Sequence, residues 1–89
     1  MSKLPRISGR ELIKKLSKAG FLPQRTEGRH VFLKHPDGRA VTVLLAAEIG
    51  PGLMSDIMNE LRITREEFLE LLRDPKKFAR KERSQQDSD

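Results

Sequence analysis

The sequence predicts an α+β protein: a three-stranded antiparallel meander with helices before and after it, packed on one face of the sheet. Three observations predict this. Apolar residues follow helical spacing from residue 9, switch to period two between residues 21 and 47, and return to helical spacing after residue 51. Helices flanking a meander bury their apolar stripes on one side of the sheet and leave the other side open.

The first helix, residues 9–19, opens with "SGRE", in which Ser8 accepts from first-turn amides and Glu11 reaches back. Leu12, Ile13, Leu16 and Ala19 form its apolar stripe, and Gly20 ends it. "FLPQRTEG" is an extended segment that Pro23 confines to an edge. In "RHVFLKH" Val31, Leu33 and His35 face one way, and His30, Phe32 and Lys34 the other. "HPDGR" is a hairpin turn, after which "AVTVLLAA" returns as the third strand with Val41, Val43 and Leu45 on one face. "GPG" at 50–52 starts a helix whose apolar side is Leu53, Ile57, Met58 and Leu61. "TREE" at 64–67 is a second capping box, followed by Phe68, Leu69, Leu71 and Leu72. Phe21 and Phe68 are core candidates. Residues 1–73 read as one domain, and the charged stretch 74–89 reads as a disordered tail.

At 89 residues the chain supports one small core. It has no cysteine, which excludes disulfides, thiolate metal sites and a cysteine nucleophile and fits a reducing cytoplasm. The longest apolar run, "VLLAA", is too short to span a bilayer, and the N-terminus has no signal-peptide pattern. The expected location is the cytoplasm. Charge is divided unevenly: residues 1–45 carry ten Lys or Arg against three Asp or Glu, and residues 46–89 carry eight against ten. A basic half of this kind suggests a surface that faces a polyanion.

Two histidines carry the remaining chemistry. They are five residues apart, so a regular strand points them to opposite faces, and neither has ligand partners at a useful spacing. No metal site is expected. No serine sits in a Gly-flanked elbow, and no Gly-rich phosphate loop is present. His35, before Pro36, reads as a strand-end residue. His30 lies beside Arg29 on the open face it shares with Lys34, where it could meet a phosphodiester or could simply finish a strand.

"GRELIKKLSKAGF", then Gly28-x-His30 leading into "HVFLKHPDGRAVTV", then "EIGPGLMSDIMNELRITREEFLELL" together resemble the HicA (YcfA-like) toxin family from about Ile7 to Leu72. The resemblance implies a double-stranded-RNA-binding-like α-β-β-β-α fold. It also implies a metal-independent ribonuclease, an mRNA interferase held inactive by a HicB-like antitoxin, with no cofactor. The family's essential histidine maps onto His30 and its glycine onto Gly28. Two positions depart from the pattern. Arg29 stands where a small hydroxyl residue is usual, and "LLAA" at 44–47 replaces a polar segment.

On this reading neutral His30 is the general base on the RNA 2′-hydroxyl, and Arg29 and Lys34 offset the charge that builds on the phosphate. Lys14, Lys15 and Lys18 of the first helix, with Arg25 and Arg39 of the sheet, are the further candidates for gripping the RNA backbone. The rival readings are a non-catalytic RNA-binding module of the same fold and a subunit whose basic face docks an acidic protein.

Overall fold

A computed structural model describes residues 4–87. The order is α1 (Gly9–Lys18), β1 (Leu22–Glu27), β2 (His30–Lys34), β3 (Ala40–Leu44), α2 (Pro51–Leu61), α3 (Arg65–Arg73) and α4 (Pro75–Asp87). The strands form an antiparallel meander in the order β1-β2-β3. This is the α+β architecture expected from the two changes of period, and it is consistent with the double-stranded-RNA-binding-like arrangement.

Alternation decides which face is buried. Val31, Leu33, Val41 and Val43 point inward to meet Leu12 and Leu16 of α1, Met54, Ile57 and Leu61 of α2, and Phe68 and Leu71 of α3. Their neighbours His30, Phe32, Lys34, Thr42 and Leu44 stay on the open face. Pro23 has no N–H to donate, and β1 is an edge strand whose register slips between Pro23 and Arg25.

The two expected capping boxes differ: at α1 only the Ser8 half forms among the described residues, without the reciprocal bond from Glu11. Ser8 Oγ accepts from the Glu11 amide at 3.1 Å. At α3 the capping box is complete, Thr64 accepting from the Glu67 amide and Glu67 from the Thr64 amide.

Three expectations change. On α2 the inward stripe is Met54, Ile57, Met58 and Leu61, while Leu53 is 41% exposed. With Pro51 as the first helical residue, the i, i+3, i+4, i+7 set that faces the core starts at Met54. The third strand ends at Leu44, before Ala46 and Ala47. Its last rung is the Leu45 amide donating to the Arg29 carbonyl at 2.7 Å, after which the Ala46 amide turns back to the Leu44 carbonyl. Strand β2 has by then given way to its hairpin, so no ladder partner remains.

The third correction is the tail. Residues 75–87 form α4, and Phe78 is only 3% exposed within the same core as Phe21 and Phe68. The Asp74 side chain accepts from the Lys77 amide, and Lys81 pairs with Glu70 of α3 at 2.8 Å. One buried aromatic in an otherwise polar helix is a weak periodic signal, and this is why the stretch reads as unstructured from sequence. Residues 88 and 89, the end of the expected tail, lie outside the described residues.

Candidate functional site

His30 is the first residue of β2 and follows directly from the two-residue turn Gly28-Arg29. Gly28 has φ +59° and Arg29 does not share a positive φ, the sign pattern of a II′ turn whose first central position favours glycine. A side chain at Gly28 would meet open space, so the backbone conformation, and not crowding, calls for glycine there. In the ladder His30 stands between Glu27 and Leu44. Its imidazole is exposed, and among the described residues nothing hydrogen-bonds or pairs with it.

The open face around it is mixed. A shallow pocket of about 210 Å³ joins His30 to Thr42 and Leu44 of the sheet and to Leu53, Asp56, Ile57 and Glu60 of α2. Glu60 Oε1 accepts from the Thr42 amide at 3.3 Å, which ties the helix to the free edge of β3. Asp56 and Glu60 are carboxylates that sequence reasoning missed. Their i, i+4 spacing placed them together on α2, but nothing in the sequence showed which side of α2 meets the histidine. They load the α2 side of His30 with negative charge, so an anion approaches more favourably from the side of Arg29.

Arg29 sits on the opposite lip. Its guanidinium donates from Nη2 to the Leu45 carbonyl at 2.9 Å, which leaves further N–H groups for a ligand. With Ser8, Arg10 and residues 45–47 it lines a cleft of about 350 Å³. Arg10 is therefore a second guanidinium beside Arg29, and sequence reasoning did not single it out.

The other candidates are dispersed. Lys34 shares His30's face but lies four residues along β2, about 13 Å at roughly 3.3 Å per residue. The structure therefore places Lys34 at the far end of β2 from His30, and not beside it as Arg29 is. Arg25 lies over the Phe32 ring at 4.6 Å and makes a long 3.9 Å contact with Glu27. Lys14 and Lys18 are exposed and Lys15 half-buried, all on α1 beneath the covered face of the sheet.

Arg39 is the clearest correction. Nε donates to Asp37 Oδ2, Nη1 to the Leu61 carbonyl and Glu82 Oε2, and Nη2 to Glu82 Oε1 with Asp37 Oδ2 at 2.8 Å. Four hydrogen bonds and the close Nη2 contact with Asp37 commit this guanidinium to the fold and not to an open, ligand-facing surface. The guanidinium also lies 5.0 Å from the Phe21 ring centre. Burial alone would raise the Asp37 carboxyl, but hydrogen bonds from the side chain and backbone of Arg39 outweigh it and hold Asp37 below the usual carboxylate range.

His35 belongs to this cluster. Its ring is 4.7 Å from Phe21 at 50°, and Nδ1 lies 3.1 Å from both the Asp37 amide and Asp37 Oδ1. A neutral ring accepts from the amide, whereas a ring protonated at Nδ1 donates to the carboxylate, so either state has a partner.

The fold and this site define a small α-β-β-β-α domain that presents one solvent-facing histidine beside a guanidinium. A family model described as the HicA toxin of bacterial toxin–antitoxin systems matches residues 9–63. The chain belongs to the HicA toxin family, and that membership implies a toxin–antitoxin pairing. No curated protein matches it. The match takes in α1, the whole sheet and α2, whereas α3 and α4 lie beyond it. No helix among the described residues is long and apolar enough to cross a membrane.

Proposed function

We propose that the protein is a metal-independent endoribonuclease of the cytoplasm, an mRNA interferase whose activity a HicB-like antitoxin restrains. The observation that carries this reading is His30 itself: an exposed imidazole without a partner among the described residues, at the lip of an open sheet face, next to Arg29.

RNA supplies its own nucleophile. Neutral His30 takes the 2′-hydroxyl proton, the 2′-oxygen attacks the adjacent phosphorus, and the bond to the 5′-oxygen breaks. The products are a 2′,3′-cyclic phosphate and a 5′-hydroxyl, the latter receiving its proton from water. Arg29 neutralises charge on the phosphoryl oxygens as it develops. Lys34 stands at the far end of β2, away from this phosphate. One general base supplies on the order of 10²–10⁴-fold, so turnover is slow.

The same face carries exposed apolar side chains, Leu22 at 53% and Leu53 at 41%, around half-buried Phe32 and Leu44. An antitoxin seated there would bury them and cover His30 in one step.

The test is incubation of the protein and its His30→Ala variant with a long single-stranded RNA in EDTA. The expected result is fragments ending in cyclic phosphate from the wild type alone, with the matching DNA left intact. RNA bound but uncut by both proteins would instead support a non-catalytic binding module.

A further inference from the structure

Solvent-facing cations lie on the open sheet face, on the outer side of α1 and on the helices after the sheet, and the α1 set adjoins the Arg29 cleft beside His30. On the open sheet face Arg25 is stacked on Phe32 and drawn to Glu27, and Asp56 and Glu60 border the far side. A phosphate backbone crossing that face would run over exposed apolar groups and past carboxylates. The second surface is the outer side of α1. Arg10, Lys14 and Lys18 stand at i, i+4 and i+8, all exposed, and none forms an ion pair or side-chain hydrogen bond among the described residues. They make a row about 12 Å long, at 1.5 Å rise per residue.

The fold joins this row to the histidine. The Gly9 amide donates to the Ala46 carbonyl at 2.9 Å, and a Cβ on Gly9 would collide with the Leu44 carbonyl. A residue without a side chain therefore lets the start of α1 press against the exit of β3, where Leu44 pairs with His30. Arg10, the next residue, then opens onto the same cleft as Arg29. Glu11 is the one acidic residue of α1; it is turned about 100° from Arg10 but only about 60° from Lys14 and about 20° from Lys18, which lies two turns further along the helix.

We infer that single-stranded RNA leaves His30 over the Arg29 lip and runs along the outer face of α1, with Arg10, Lys14 and Lys18 each taking a backbone phosphate. This rests on the ribonuclease reading above and adds to it the surface that positions the strand. Arg10 is the positioning residue nearest the cleavage site. The row contacts phosphates and not bases, so it confers grip without sequence preference.

The test is fluorescence anisotropy with a labelled single-stranded RNA of about 20 nucleotides, measured across a salt series. The proteins compared are His30→Ala, His30→Ala carrying R10Q/K14Q/K18Q, and His30→Ala carrying R25Q/K34Q. For single strands each phosphate contact contributes about 0.7 to the slope of log affinity against log salt. The helix variant is expected to lose about 2 from that slope, and the sheet variant less. With His30 restored, the helix variant is expected to raise KM for the same RNA and to keep kcat.

An unchanged slope in the helix variant, or a larger loss in the sheet variant, overturns the track while leaving the ribonuclease reading intact if the wild type still cuts. A wild type that neither binds nor cleaves RNA overturns both.

Discussion

At one end of β2, His30 faces solvent with no side-chain partner among the described residues. At the other, one residue past Lys34, His35 is enclosed by Phe21 and Asp37 and backed by Arg39 and Glu82. The two hairpins that carry them differ in the same way. The Gly28-Arg29 turn is short and held by β3 through Arg29. The His35–Arg39 loop closes on itself, the His35 amide donating to the Arg39 carbonyl and the Gly38 amide to the His35 carbonyl. Arg39 then anchors it to the end of α2 and to α4. A histidine whose ring nitrogen and ring face are already engaged is committed to the fold, whereas one left free on a rigid strand is available for chemistry.

The largest expected effect tests that division directly. His30→Ala should lower RNA cleavage by about 10²–10⁴-fold and leave the thermal midpoint almost unmoved, since its side chain is exposed. His35→Ala should do the reverse, keeping cleavage while losing about 0.5–1.5 kcal/mol of aromatic contact. Cleavage assays and thermal melts on the two variants check both arms. Equal loss of activity in the two would break the comparison.

Next in size is Phe78→Ala. Deleting a buried aromatic costs roughly 3–5 kcal/mol, a large share of what so small a domain has to spare. Urea unfolding should show it. Amide exchange should accelerate at residues 35–39, which α4 supports, more than at residues 27–30, which it does not touch.

Much of the covered side was legible in advance, because burial there is written as period. Val31, Leu33, Val41 and Val43 alternate, and Leu12 and Leu16 recur one turn apart. The failures share a cause. Leu53 and Met54 are adjacent apolar residues, so composition could not choose which of them faces inward, and α4 offers one aromatic among charges. At the site, His30 was visible because strand parity put it on the open face. Asp56, Glu60 and Arg10 were not, because their relation to His30 depends on how α2 and α1 pack at the two borders of the sheet. Arg39 misled for the opposite reason. It is a cation in the basic half of the chain, and its acceptor Glu82 lies 43 residues away on a helix that period did not reveal.

A smaller effect sharpens the assignment of Arg39. Arg39→Gln leaves Asp37 and Glu82, both mostly shielded, without their cation and should cost roughly 1.5–3 kcal/mol by denaturant unfolding. The salt slope of RNA binding should stay as it is, since this guanidinium is held by Asp37, Glu82 and the Leu61 carbonyl. A reduced slope would return Arg39 to the RNA-contacting set.

The smallest effect is carried by protons. Asp37 is held below its ordinary value in the folded protein, so its contribution to stability is complete at pH values above the unfolded carboxylate pKa of about 3.9. It fades as pH falls through the lower folded value, because the folded state must then accept a proton that the unfolded chain already holds. Thermal melts from pH 7 down to pH 2 should therefore show a shallower acid decline for Asp37→Asn than for the wild type. The two curves should converge once both folded and unfolded Asp37 are protonated in the wild type. At that acidic end Asp37 is a neutral carboxylic acid, and the hairpin loses the charge pairing with Arg39 that sets it apart from its counterpart at Gly28-Arg29. An identical decline in the two proteins would mean that Arg39 is satisfied by Glu82 and the Leu61 carbonyl alone, and that Asp37 holds the loop through its backbone amide and not its charge.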